Sequence, residues 1–288
     1  MSDTHQNPPG APGYRAIRWN MDWITRPLFG FALAGIAILA LSYSPEYFAG
    51  LAVAITVPAA YEWHRMVSQV QDCRVETTVT ALTVALSVAV LVWAHMAWAA
   101  LLLVAAGCGL SAILAIRNGQ NPLWQSLGVV YLGLPVLALV SLRLFPPRGA
   151  LVIIGLLLIV WATDTGALIF GNLIGGPRLA PKLSPSKTWA GTIGGSFTAA
   201  VIFGLYILLL GGSLGIAALF ALAFSATAHG GDLFESFVKR RFGLKNSGSL
   251  IPGHGGVLDR IDSTLAASVA LAILMFLFHF NPLFGVAS

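Results

Sequence analysis

Apolar runs long enough to cross a bilayer recur along nearly all of this chain, and they exclude most of the folds open to a protein of its length. A hydrocarbon core about 30 Å thick is crossed by roughly 20 residues of helix. Counting the runs between polar breaks predicts about nine such helices, over residues 27–44, 47–64, 77–94, 97–116, 123–144, 150–170, 189–210, 213–229 and 264–285. Only the short HMAW stretch at 95–98 separates the third from the fourth. Composition agrees, with 57% of the 288 residues hydrophobic, 9% charged and a mean hydropathy of +0.82. No soluble globular domain needs that much apolar surface, so the expected fold is an all-α polytopic membrane protein.

Charge sets the expected orientation. With the N-terminus in the cytoplasm and nine spans, only Arg143 and Arg148 of the 16 Lys and Arg residues fall outside. The C-terminus then lies outside. Residues 1–26 are polar and rich in Pro and Gly, lack the apolar core of a signal peptide, and read as a disordered cytoplasmic tail. The helices of 27–160 follow, and then a region, 161–288, whose polar loops 171–188 and 230–263 both face the cytoplasm, where nucleotides are available. Cys73 and Cys108 have neither disulfide nor metal-site spacing. No basic stretch interleaved with aromatics points to nucleic acid.

The second of those loops concentrates charge in a chain that has little. Asp259 and Asp262 are three apart, a spacing that puts both on one helix face, and Asp232 and Glu235 repeat it. Such carboxylates suit a hard divalent cation such as Mg²⁺, which shares its ligands with substrate phosphates; they equally suit ion pairs with Lys239, Arg240, Arg241 and Arg260. Lys239, Arg240, Arg241 and Lys245 can hold phosphates or anchor a helix end against anionic headgroups. Gly253, Gly255 and Gly256 allow backbone amides to approach an anion, with His254 between them to donate to a phosphate or shuttle a proton.

The first loop repeats the theme. Arg178, Lys182 and Lys187 stand among Ser184, Ser186 and Thr188, and SPSKT leads straight into the seventh helix. A phosphate at that helix N-terminus meets free amides, although Ser186 and Thr188 also serve as ordinary caps. The Walker A pattern is absent. Asp164, within the sixth span, is a functional candidate by its depth, unless a hydrogen bond to Thr163, Thr165 or a neighbouring span satisfies it. Glu62 is a shallower acid near the end of the second span, within reach of water by snorkelling; His95 and His279 read as structural. Together the two loops suit a metal and phosphorylated ligands, and hence phosphoryl or nucleotidyl transfer to a membrane lipid.

The polar blocks also carry a resemblance. Ser236, Lys239, Arg240, Lys245, His254, Gly255, Gly256, Asp259, Arg260 and Asp262 fall at the intervals of the signature of the bacterial phosphatidate cytidylyltransferases, or CDP-diacylglycerol synthases. GDLFES (231–236) and the block from Trp161 to Gly191 resemble that family as well. The resemblance covers 161–263 strongly and the N-terminal half mainly in hydropathy, with Glu62-Trp63 as a local match. Asn246, Ala190 and Asn172 depart from the usual Asp, Glu and Arg. Asn246 argues against an essential base there, and Ala190 excludes a catalytic acid at its position; activity is expected to survive because the other signature acids are intact.

The resemblance implies that CTP and phosphatidic acid give CDP-diacylglycerol and pyrophosphate with Mg²⁺, the involvement of a monovalent cation and a homodimer being left open. It implies catalytic roles for Asp232, Lys239, Lys245, His254, Asp259 and Asp262, with Asp232, Asp259 and Asp262 as metal ligands. Asp164, Ser184, Ser186, Lys187, Thr188, Arg240, Gly255, Gly256 and Arg260 are the implied substrate-binding residues. The expected setting is a bacterial inner membrane with the site facing the cytoplasm. A CTP-dependent lipid kinase uses the same substrates but transfers the γ-phosphoryl group. An inactive paralogue has Asn246 and Ala190 in its favour. A polytopic transporter often carries an inverted repeat, and none is visible.

Overall fold

The computed structural model describes residues 35–68, 72–248, 250, 255–281 and 285–286, which leaves His254 and the start of the first expected span outside the described residues. Among the described residues there are nine helices: α1 (35–43), α2 (Pro45–Ser68), α3 (Arg74–Ala94), α4 (Ala97–Arg117), α5 (Pro122–Leu144), α6 (Gly149–Leu173), α7 (Trp189–Leu209), α8 (Leu214–Arg241) and α9 (Leu258–Leu277). Helices α3 to α9 are each long and apolar enough to cross a membrane. An all-α polytopic membrane fold is the result. The outward faces carry the expected apolar stripe, on α7 for example Ile193, Phe197, Val201, Leu205 and Leu208.

Local sequence explains where several helices begin and end. His95 takes up a left-handed conformation (φ 53°) that closes α3, so the brief HMAW break does separate two helices. Asn121 caps α5 by accepting the Leu123 N–H at 3.0 Å, with Pro122 as the first helical residue. Thr188 caps α7 in the same way, its Oγ1 accepting the Gly191 N–H at 3.1 Å. Helices α6 and α7 approach closely through Gly166, Gly194 and Gly195, positions where a Cβ would collide with the facing helix. Close backbone approach through small residues is how helices associate where lipid removes the hydrophobic driving force.

Three apolar clusters organise the bundle. One lies mainly among α6 to α9 around Ile159, Phe203 and Leu271, with Leu41 of α1, Phe48 of α2 and Leu142 of α5 at its margin. A second lies among α2 to α5 around Val84, Leu91 and Val140. The third joins the halves, packing Trp63 and Met66 of α2 and Leu132 of α5 against Val238 of α8 and Leu258 and Leu265 of α9.

Two polar stretches are more ordered than hydropathy indicated. The 230–263 loop is helical at both ends, because α8 continues to Arg241 and α9 starts at Leu258. Among the described residues between them, 242–248, 250 and 255–257 are not helical. Hydropathy ended these helices early because their last and first turns are charged, yet the charges face one another and pair. Within 171–188, β1 (Arg178–Ala180) and β2 (Ser184–Thr188) form an antiparallel hairpin. A second short pair, β3 (Phe280–Asn281) with β4 (Gly285–Val286), follows α9.

Candidate active site

A cavity of about 630 Å³ opens where α6, β2, the start of α7, the end of α8 and the start of α9 meet. Its wall includes Asp164, Ser186, Lys187, Thr188, Asp232, Lys239, Gly255, Asp259, Arg260 and Asp262, ten of the residues singled out from sequence. They come from both polar loops and from the intramembrane acid. The volume lies within the roughly 300–1,000 Å³ of small-molecule sites.

Charge inside the cavity is arranged in pairs. Lys187, on β2, binds the Asp232 carboxylate of α8, and Ser236, one turn on, donates to the other oxygen of Asp232 at 3.4 Å. Lys239 Nζ lies 2.7 Å from Asp259 Oδ1 and 3.5 Å from Glu235 Oε1, bridging α8 and α9. Asp259 is held further by the N–H groups of Gly256 at 3.0 Å and Ser247 at 3.3 Å. Asp262, nearly buried, accepts the Ser263 N–H at 2.7 Å.

Some polar groups stay unsatisfied. Glu235 is fully buried, and neither of its oxygens accepts a hydrogen bond. His229, one turn before Asp232 on α8, lines the cavity with a buried Nε2 that has no partner. The Thr163 hydroxyl is likewise unpartnered, so it does not tie down Asp164, whose side chain opens onto the cavity. Ser87 of α3, Ser111 of α4 and Tyr131 of α5 also keep buried hydroxyls without a partner away from the cavity wall, so it is His229, which lines the cavity, that bears on the site.

Other expected residues lie elsewhere. Arg240 is turned away from the cavity: its Nε donates to the Leu183 carbonyl at 3.1 Å and a terminal nitrogen to the Leu244 carbonyl at 3.2 Å, which holds the hairpin tip against the end of α8. In this structure it braces the hairpin against α8. Ser184 and Lys245 do not line the cavity, Lys245 being exposed on the 242–257 link. Gly256 stands behind the wall, donating its N–H to Asp259. Of that turn, the Gly256 amide thus goes to a protein carboxylate. Val257 and Leu258 give theirs to Glu62 of α2, at 3.0 and 2.9 Å.

Glu235, noted in the sequence for its i, i+3 offset from Asp232 but not given a site role there, shares its helix face with Asp232 and Lys239 and pairs with Lys239. Sequence reasoning passed over other participants. His229, Thr192 and Ser263 line the cavity beside recognised residues. So do Asn172 and Asn246, which puts two of the three departures from the family pattern on the wall itself.

The donor set fits a hard cation. Among the described residues no three His, Cys, Asp or Glu side chains close on a common point. Mg²⁺ does not require that, since it takes one or two carboxylates and completes its shell with water and substrate phosphate oxygens. Asp232, Asp259 and Asp262 present carboxylate oxygens to one cavity, two of them now neutralised by lysines.

Comparison with known proteins gives a consistent result. The model of the family described as "Cytidylyltransferase family" matches residues 24–278. A phosphatidate cytidylyltransferase of Brucella suis is 45% identical over 169 residues, 58% of this chain and 61% of that protein. One of Haemophilus influenzae is 42% identical over 160 residues, 51% of this chain and 56% of the relative. One of Staphylococcus saprophyticus is 36% identical over 151 residues, 52% and 57% of the two chains. In each case the chain covers less than two thirds of the relative's length.

Proposed function

The chain belongs to the cytidylyltransferase family, and from that premise we propose that it is a phosphatidate cytidylyltransferase, converting CTP and phosphatidic acid to CDP-diacylglycerol and pyrophosphate. The observation that carries this reading is the convergence of Lys187, Lys239, Asp232, Asp259 and Asp262 on one cavity, from two separate polar blocks of an apolar bundle. The relatives named for that activity support the choice of substrates. The bias of Lys and Arg toward one side of the spans supports a cytoplasmic site in a bacterial inner membrane.

In this reaction an oxygen of the lipid phosphate attacks the α-phosphorus of CTP. The new P–O bond forms as the bond to the β-phosphate breaks, and pyrophosphate leaves. A phosphate monoester is already anionic, so no strong base is needed, in keeping with Asn246 on the wall. The burden falls on alignment and on neutralising charge in the transition state. Lys187, Lys239 and Arg260 are the cations on the wall, and each lysine would exchange a carboxylate for a phosphate oxygen. Ser186 and Thr188, beside them at the start of α7, offer hydroxyls to the same phosphates. Asp232, Asp259 and Asp262 would hold Mg²⁺, which when bound screens the charge gathering on the triphosphate.

The test follows a label. Purified protein with phosphatidic acid, Mg²⁺ and CTP labelled at the α-phosphorus is expected to move label into chloroform-soluble lipid and release pyrophosphate. Label left in water-soluble CDP, with a newly phosphorylated lipid, would establish a kinase instead.

A further inference from the structure

We propose that Glu62, on α2, is a positioning residue that sets the placement of Asp259 and Asp262 from the opposite half of the bundle. Its role in turnover rests on the reaction proposed above, but the contacts behind it do not. Glu62 is 1% exposed, and among the described residues its hydrogen bonds go to the segment that leads into and opens α9. One oxygen accepts the Val257 N–H at 3.0 Å; the other accepts the Leu258 N–H at 2.9 Å and the Ser247 hydroxyl at 3.2 Å.

Those two amides belong to the first turn of α9, where N–H groups have no partner within the helix. Val257, at the N-cap position, provides no side-chain cap. The cap therefore comes from another helix, 196 positions away in sequence for Leu258. A carboxylate there also meets the positive end of the helix dipole. Ser247 completes the connection, its hydroxyl on Glu62 and its N–H on Asp259. Gly248 and Gly256 pack so closely on Glu62 that a Cβ on either would collide with its carboxylate, which fixes the link to the side chain on both sides.

Glu62 does not line the cavity. It holds the turn from which Asp259 projects, with Asp262 three residues along the same helix. A misplacement of about 1 Å can lower an enzymatic rate about a hundredfold. Glu62→Gln keeps the shape, removes the charge and swaps one acceptor for a donor. At least one of the three donors then faces an NH₂ group.

The experiment compares wild type, Glu62→Gln and Val257→Pro. Val257 has φ −65°, so proline deletes one donor to Glu62 while leaving the carboxylate in place. For Glu62→Gln we expect turnover to fall about ten- to a hundredfold, with the KM for CTP within about twofold and the CTP-binding stoichiometry unchanged. Val257→Pro should shift turnover in the same direction by less. Hydrogen exchange at Val257 in wild type and Glu62→Gln, and at Leu258 in all three proteins, reads the clamp without reference to activity, and exchange in Glu62→Gln should accelerate there but not along α6. Wild-type turnover in Glu62→Gln, unchanged exchange at these amides, or a rate loss matched by lost CTP-binding protein would each overturn the proposal. A wild-type protein that forms no CDP-diacylglycerol would instead sink the proposed function, and the exchange result would still judge the clamp.

Discussion

Two clusters of buried polar side chains lie in the two halves of this bundle, and they differ in how completely they are satisfied. In the N-terminal half, His64 of α2 is fully buried, with one ring nitrogen bonded to Gln125 of α5 and the other 2.7 Å from the Thr80 hydroxyl of α3. Gln125 passes its amide on to Gln120 at 2.9 Å. These side chains carry no carboxylate and no lysine, and they partner one another. In the C-terminal half, carboxylates and lysines surround a cavity, and Glu235 and His229 keep buried atoms without a hydrogen bond. A closed polar network rigidifies and specifies packing. An open one is left incomplete at the point where a ligand would complete it.

The comparison breaks first if the open cluster is not the chemical one. Asp259→Ala removes a carboxylate that anchors Lys239 and two backbone amides. Turnover of CTP into CDP-diacylglycerol should fall about a thousandfold, and stripping divalent cations with EDTA should stop the wild-type reaction until Mg²⁺ is restored. A variant keeping a tenth of its turnover would move the chemistry elsewhere. Lys239→Met comes next. It leaves Glu235, which is fully buried, and Asp259, which is partly so, without their shared cation, a loss of about 3–5 kcal/mol for a broken buried pair. Thermal unfolding in detergent should show it along with the loss of turnover. A stable but inactive protein would mean that the carboxylates have other partners.

The closed cluster makes the opposite prediction. His64→Leu orphans the polar groups of Gln125 and Thr80, which should destabilise the protein by about 1–3 kcal/mol. Turnover per folded molecule should stay within about twofold of wild type, measured as rate against the fraction of chains that bind CTP. A selective fall in turnover would show that the two halves are coupled by more than the clamp at Glu62.

Much of this organisation was legible in the sequence, and the physical reasons for the rest are specific. Hydropathy marks a helix where apolar side chains meet lipid, so the α3–α4 break at His95 and the bounds of α5 to α7 were accessible. It fails where charges are neutralised across helices, which is why α8 runs on through Asp232 and Lys239 to Arg241, and why α9 starts at Leu258. The cavity residues stood out because charge is scarce in the chain and clusters at fixed intervals. Arg240 stood out for the same reason and yet supports the hairpin, since an interval does not say which way a guanidinium turns. The contacts of Glu62 span 185 to 196 positions, and no local pattern indicates them.

The smallest expected effect separates the clusters most finely, because it uses one chemistry in both halves. Asn121 and Thr188 each cap a helix by accepting a single backbone N–H, at 3.0 and 3.1 Å. Replacing either by Ala should destabilise its helix by about 1 kcal/mol. Asn121 stands at the exposed start of α5, so Asn121→Ala should shift thermal unfolding and leave kcat and KM as they are. Thr188 also lines the cavity, so Thr188→Ala should lose the same stability and raise the KM for CTP severalfold as well. Thr188→Ser, which keeps the hydroxyl, should recover both. If the two Ala variants behave alike, Thr188 is only a cap. If Thr188→Ala alone changes KM, a residue whose local bond has a counterpart at Asn121 in the N-terminal half is also part of the open cluster, and what distinguishes it is the cavity it faces.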